Sequence, residues 1–278
     1  MKIAYFSSDL FMQCLEVFHE HHHEIVAIFA ADSAENCKDI QQYASQKNIQ
    51  YFTGKPQKIQ IQQLENEGVS CFFSIEYDSL IPLPSSKVKT INMHPTMLPE
   101  GRGITPLSHL ILQYPQHAGI TFHKLAEQFD EGDIILQSPI QLDEHEGLES
   151  LLVKLNFKIP ELLNRLLSDL PNLYQQAKPQ GKGSYWPKLT DQDRMLNWSA
   201  NTADISRMIR AFGQFGVVCC IGHEIWLVNH IETHTTQHSS PGGTLLSEDN
   251  KTCVVAVADG IVIIYKDGII QRRELNPV

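Results

Sequence analysis

Four things are scarce in this 278-residue chain, and each scarcity removes a class of function. The six cysteines, at 14, 37, 71, 219, 220 and 253, form no C-x-x-C pair. That argues against a zinc ribbon or a dithiol redox motif, and their apolar surroundings suit buried thiols in a reducing compartment. Positive charge is outnumbered, with 22 Lys and Arg against 32 Asp and Glu and a net charge of −10. Such a balance disfavours nonspecific affinity for nucleic acid or anionic lipid. No apolar run approaches the roughly 18 residues of a membrane span. The opening Met1-Lys-Ile-Ala-Tyr-Phe has no basic n-region, h-region or cleavage pattern, so a cytoplasmic location without membrane association is expected. Finally, the turn after the first strand-like segment reads "FSSDLFMQ" and lacks G-x-G-x-x-G. A nicotinamide dehydrogenase is disfavoured, because a pyrophosphate would find no glycine cradle there.

What is present is an ordinary globular composition, 42% hydrophobic and 19% charged, with ample material for a core. Strand-like segments at 2–7, 24–31, 49–52, 69–75 and 89–93 alternate with helical patterns at 10–20, 36–47 and 59–67. This alternation predicts an α/β fold with a mostly parallel, Rossmann-like sheet. Further strands are expected at 119–124 and 133–142, and a long helix at 148–170 that Pro160 kinks or splits. Near residue 179 the composition changes, and "KPQGKGSYWPK" holds two prolines and two glycines in eleven residues. The predicted boundaries are a first domain over 1–178, a linker over 179–190 and a second domain over 191–278. In the second, one helix at 203–212 precedes short strands at 217–221, 224–230, 243–246, 253–258 and 261–265. "ADGIV" and "KDGII" give hairpin signals, and a small OB-like β-rich domain is the expectation.

The chemistry-bearing stretch is "INMHPTMLPEGRG", residues 91–103. Asn92 and His94 stand two positions apart at the end of the fifth strand, so their side chains share a face. An open parallel sheet places its ligand crevice at the carboxyl ends of its strands. An amide N–H beside an imidazole can donate to an oxygen that gains negative charge, the requirement of acyl transfer. The plainer alternative is a strand end with a polar tip. A carboxylate partner is sought in "FDEGDIILQ", where Asp130, Glu131 and Asp133 compete and spacing does not separate them. A turn aspartate bonding its own backbone is the plainer alternative there. "HEHHHE", His19–Glu24, has the look of a metal tract, but it lies at a helix end where imidazoles complement the dipole. Cys219 and Cys220 adjoin in a strand and point to opposite faces. Asn197-Trp-Ser, a formal glycosylation match, is void inside a cell.

Taken in order, "INMHPTMLPEGRGITP", "AGITFHKL" and "FDEGDIILQ" resemble the signature of the folate-dependent formyltransferases. Asn92 and His94 match that family's N-x-H pair, and Asp130, thirty-six positions after His94, matches the first residue of D-x-G-x-I. Arg102 matches its R-G arginine, and His123 its strand histidine, read as structural. "FFSIEYDSLIP" is similar to the segment lining the pterin pocket, which implies Ser74, Glu76, Tyr77 and Leu80 as folate contacts alongside Arg102. "YWPKLTDQDRMLNWSANTADISRMIRAF" is similar to the opening of the C-terminal domain in the transfer-RNA and amino-sugar branches. Thr96-Met97, Glu100-Gly101 and Ile104 depart from the usual pattern, on the acceptor side.

The resemblance implies 10-formyltetrahydrofolate as co-substrate, no metal, and catalysis by Asn92, His94 and Asp130 on an amine. A nucleotide-linked amino sugar is the first expectation for the acceptor, and a hydroxyornithine-type siderophore precursor another. Methionyl-tRNA is disfavoured. "AADSAENCKDIQQYASQKN" is nearly devoid of basic residues where tRNA-binding relatives carry a basic loop, and residues 181–278 are roughly balanced in charge. Hydrolysis of the donor is a further alternative that uses a similar triad. A partner-binding module without activity is the alternative from another class, and the intact Asn-His-Asp set argues against it. The helical stretch in the second half of the first domain suits a dimer helix, so a homodimer is considered.

Overall fold

The structure is a computed structural model, and it describes residues 1–31 and 36–274. Residues 32–35, inside the basic-poor stretch noted above, lie outside the described part. The chain forms two compact units.

The first unit comprises residues 1–106, 116–141 and 153–186. Its elements begin β1 (Lys2–Ser7), α1 (Gln13–Glu20), β2 (Glu24–Ala30), α2 (Lys38–Gln46) and β3 (Gln50–Thr53). They continue with α3 (Lys58–Asn66), β4 (Cys71–Ile75) and β5 (Lys89–Thr96). A helix the sequence reading did not contain, α4 (Pro106–Leu112), follows in the chain, starting at a proline as helices tolerate, and beyond Pro106 it belongs to the second unit. The first unit continues with β6 (Ala118–His123), β7 (Ile134–Pro139), the part of α5 (Leu148–Ser168) from residue 153 onward, and α6 (Leu170–Gln175). The seven strands form one sheet in the order β3-β2-β1-β4-β5-β6-β7. The first five are parallel, and β6 and β7 run antiparallel.

The central parallel strands β1, β4 and β5 are buried along nearly their whole length, which is why β1 and β4 read as near-continuous apolar runs. Residues 3–7 of β1 are all buried. On one face Phe6 stacks on Phe29 at 4.8 Å, and Phe29 on Phe52 at 4.6 Å. Helix α5 runs through Pro160 in one piece, so of the two expectations, a kink or a split, the split does not occur; the chain breaks at Asp169 instead, with Pro171 in the first turn of α6. The stretch with linker composition is laid along this unit as far as Trp186, which is buried. Ile134 and Lys178 exchange both backbone hydrogen bonds, at 2.8 and 2.9 Å.

The second unit comprises residues 107–115, 142–152 and 187–278. Helix α7 (Thr202–Phe212) is capped by Asn201, whose side chain accepts from the Asp204 N–H at 2.8 Å. Seven strands follow: β8 (Val217–Ile221), β9 (Glu224–Val228), β10 (Ile231–Thr235), β11 (Leu245–Glu248), β12 (Thr252–Val257), β13 (Gly260–Tyr265) and β14 (Ile269–Glu274). They make two antiparallel sheets, β10-β13-β12-β11 and β14-β9-β8. The β-rich character is as expected, but β10 and β14 were not foreseen, because "IETHT" and "IIQRRE" are too polar to read as strands. Of the two Asp-Gly signals, the first closes the β12–β13 hairpin. The second does not make a hairpin: a 3-10 turn at Lys266–Gly268 hands the chain to β14, which pairs with β9.

Candidate active site

The strand β5 runs further than its apolar pattern, through Thr96, so Asn92 and His94 are strand residues on one face. They lie where the sheet turns from parallel to antiparallel. Asn92 is paired with Ser74 of β4 on one side and His123 of β6 on the other, and His94 with Thr121. Asp130 arrives from the turn between β6 and β7. Its backbone is left-handed, at φ +58°, a conformation that aspartate tolerates better than most residues.

Of the three competing carboxylates, Asp130 is the one that lies beside Asn92 and His94. Asp133 is taken by Lys124, at 3.1 Å, and Glu131 is exposed. Asp130 is buried, and its Oδ1 lies 3.4 Å from Asn92 Nδ2, 3.4 Å from His94 Nδ1 and 3.4 Å from His123 Nε2. Its Oδ2 accepts the Gly103 N–H at 3.0 Å. The three contacts to Oδ1 are longer than well-formed hydrogen bonds.

His123 has a larger part than the sequence suggested. Its Nδ1 lies 2.7 Å from the Lys124 carbonyl and its Nε2 3.0 Å from Asn92 Nδ2. With the proton on Nδ1, Nε2 accepts from Asn92 and fixes which end of the carboxamide faces the carboxylate. His94 Nε2 lies 2.7 Å from the Gly101 carbonyl. A neutral ring carrying its proton there turns a lone pair on Nδ1 toward Asp130. Only a second proton satisfies both nitrogens, so the pair offers a place where a proton can be received.

Electrostatics follow from burial and these partners. Burial lowers the His94 pKa below its usual value, against the opposing pull of Asp130 and the Gly101 carbonyl. Burial is also the largest influence on Asp130, raising its pKa, but the His94 charge, His123 and the Gly103 N–H together bring it down to about 2. The signs give a testable result. A carboxyl depressed in the fold contributes stability above its usual range near 3.8, and this is lost as pH falls from there to about 2. A histidine depressed in the fold costs stability once pH drops below 6.5, where the unfolded chain takes up its proton first. Urea unfolding is therefore expected to show stability falling below pH 6.5, with a shallower fall for His94→Gln. An equal slope in both proteins counts against a neutral buried His94.

Glycines shape the loops around this cluster. A Cβ on Gly132 would stand 1.8 Å from the Lys124 carbonyl oxygen, so the β6–β7 turn admits no side chain there. Gly132→Ala is expected to cost at least about 2 kcal/mol, read as a lower urea midpoint, since backbone must move. A midpoint equal to that of the unmodified protein excludes this tight turn. Gly101, at φ +75°, lies against the Trp186 ring, and its N–H donates to Ser184 Oγ at 3.0 Å.

The residues implied as folate contacts are not all brought together. Ser74 is buried beside Asn92. Tyr77 donates its hydroxyl to the Gly54 carbonyl at 2.7 Å and sets its ring edge-on to Phe6. Glu76, exposed at φ +58°, and the half-buried Leu80 lie in the loop after β4. The Arg102 side chain turns to Gln180, with Nε and Nη2 at 3.1 and 2.9 Å from Oε1. Gln180 gave no sequence signal, because it carries neither periodicity nor a chemistry-specific side chain. Among the described residues no group of three or more His, Cys, Asp or Glu is placed to hold a metal. The His19–Glu24 tract is tied locally, with His23 Nδ1 3.2 Å from the Met1 amino group and His21 Nε2 2.6 Å from Asn164 Oδ1. No described helix is long and apolar enough to cross a membrane.

Comparison with known proteins places this geometry. A curated methionyl-tRNA formyltransferase from Coprothermobacter proteolyticus is 28% identical over 261 residues, which is 89% of this chain and 86% of the relative. HypX from Aquifex aeolicus, solved in complex with tetrahydrofolic acid, superposes with a TM-score of 0.69 at 18% identity. That match covers 99% of this chain but only 44% of HypX. An N-formyltransferase from Helicobacter canadensis, solved with folinic acid and dTDP-3-aminofucose, gives a TM-score of 0.61 at 16% identity, over 95% of this chain and 98% of that one. The formyl transferase profile matches residues 1–167, and that of the formyl transferase C-terminal domain residues 188–276. With both matched in order along most of its length, the chain belongs to the formyl transferase family.

Proposed function

We propose that this protein moves a formyl group from 10-formyltetrahydrofolate to the amine of a small acceptor, a nucleotide-linked amino sugar. Asn92, His94 and Asp130 carry the chemistry. The observation that supports this most is the convergence of Asn92 Nδ2, His94 Nδ1 and His123 Nε2 on one oxygen of Asp130, each at 3.4 Å. As the acceptor nitrogen attacks the formyl carbon, the carbonyl oxygen gains charge, and the Asn92 carboxamide binds it with the N–H that otherwise makes the longer contact, 3.4 Å to Asp130 Oδ1. The attacking amine sheds a proton. Nδ1 of His94, backed by the Asp130 carboxylate, receives it and passes it to the departing folate nitrogen. His94 Nε2 is engaged by the Gly101 carbonyl, so in this scheme the ring acts through Nδ1. Ser74, Glu76, Tyr77, Leu80 and Arg102 remain the candidate folate-side residues, and no step needs a metal.

The sugar acceptor is favoured by the chain's charge of −10 and by the nearly complete span shared with the N-formyltransferase solved with dTDP-3-aminofucose. Methionyl-tRNA is the second reading, because the curated relatives carry that name. An RNA substrate is held through phosphates, which need a basic surface and make affinity strongly salt-dependent. The test is tetrahydrofolate release from 10-formyltetrahydrofolate with a panel of acceptors. Release with dTDP-linked amino sugars and none with charged tRNA is expected. Salt-sensitive activity with methionyl-tRNA and none with nucleotide sugars replaces the first reading with the second.

A further inference from the structure

Gln180 lies in the stretch whose prolines and glycines read as linker, yet its side chain uses its full hydrogen-bonding capacity within the first unit. Nε2 donates to the carbonyl oxygens of Asp130 at 2.8 Å and Gly132 at 2.7 Å. Oε1 accepts from Arg102 Nε and Nη2, and Nη2 also donates to the Gly181 carbonyl at 3.2 Å. The main chain on either side is fastened to both loops of the site. Lys178 pairs with Ile134, just after the Asp130 turn, while Arg102 N donates to Ser184 O at 3.0 Å and Trp186 N to Arg102 O at 2.8 Å. One carboxamide thus joins the loop that carries the carboxylate to the loop whose Gly101 and Gly103 hold His94 and Asp130.

We propose that Gln180 is a positioning residue for Asp130. A non-glycine residue at φ +58° persists only where its surroundings hold it there, and the two carbonyls that turn toward Gln180 Nε2 are those on either side of Glu131. Without that latch the turn is free to relax, and Oδ1 then leaves the point that Asn92, His94 and His123 share. Gln180 touches none of the reacting groups; it acts through the turn. The inference rests on the formyl-transfer reading for its kinetic consequence and on the geometry alone for its structural one.

Two substitutions separate the contacts. Gln180→Glu retains an acceptor for Arg102 but has no N–H for the two carbonyls, and Gln180→Met removes both sets. Displacing a reacting group by about 1 Å can cost as much as 10²-fold. Both variants are expected to lose about 10- to 100-fold in kcat, and Gln180→Glu, which keeps the Arg102 contact, to change the KM for 10-formyltetrahydrofolate less than twofold. In the unliganded protein, the imidazole titrations of His94, followed by nitrogen-15 NMR, are expected to move in both variants. A role in fold stability alone would lower the melting temperature and leave those titrations as they are. Should Gln180→Met fail to fold, Gln180→Glu decides, because it keeps the Arg102 contact. Wild-type kcat and unmoved titrations in Gln180→Glu overturn the proposal, as does a drop in kcat with unmoved titrations. If the unmodified protein transfers no formyl group to any acceptor, the functional reading fails, while the titrations still judge Gln180.

Discussion

Asn92→Ala is expected to lower turnover by about 10²–10³, the usual consequence of deleting one donor to a developing oxyanion. The KM for 10-formyltetrahydrofolate should change little, because the lost interaction grows only as the carbonyl oxygen gains charge. The fold should survive. Asn92 lies on a strand held by backbone pairing to β4 and β6, and its truncation leaves His123 Nε2 without its donor and removes the longer contact to Asp130 Oδ1. Losing that hydrogen bond is expected to cost about 1 kcal/mol of stability. Steady-state kinetics together with a thermal melt test this. Near-normal kcat in a well-folded Asn92→Ala protein rejects the assignment of the carboxamide.

Asp130→Asn should be at least as damaging, at about 10³-fold within the range for losing a positioned acid–base group. The side chain keeps its shape. With the amide oxygen turned to Gly103 N–H, which keeps the turn anchored, the new NH2 faces the His94 Nδ1 lone pair and the Asn92 NH2, each at 3.4 Å. What disappears is the negative charge that favours a proton on His94. The deficit should therefore lie in kcat, and the folded His94 should become harder to protonate. A fall in kcat of less than tenfold removes Asp130 from the proton transfer.

The succession of strands along the chain and the two segments that carry the candidate site were legible because each rests on a local signal. Apolar runs of the right length mark β1, β2 and β4, and the N-x-H pair and D-E-G turn mark the site. What could not be read depends on long-range assembly. Asp130 and Asp133 look alike in sequence and differ only because Lys124, across the β6–β7 pair, claims one of them. His123 matched a family position, but its hold on Asn92 requires the antiparallel register of β5 and β6. Gln180 is separated from Asp130 by two helices and sits in a stretch whose composition suggests a flexible connection. Its fixed place comes from backbone pairing that composition does not report. The polar strands β10 and β14 were hidden for a similar reason, because their exposed faces leave too few apolar residues to show a period of two.

The most direct measurement uses 10-formyltetrahydrofolate carrying carbon-13 in its formyl group, the unmodified protein and a dTDP-linked amino sugar, with products followed by NMR and mass spectrometry. Formyl transfer by Asn92, His94 and Asp130 requires the label on the amine nitrogen of the sugar, released tetrahydrofolate in equal amount, and neither product at a comparable rate with Asp130→Asn. Label recovered only as formate, or transfer at an undiminished rate in Asp130→Asn, contradicts it.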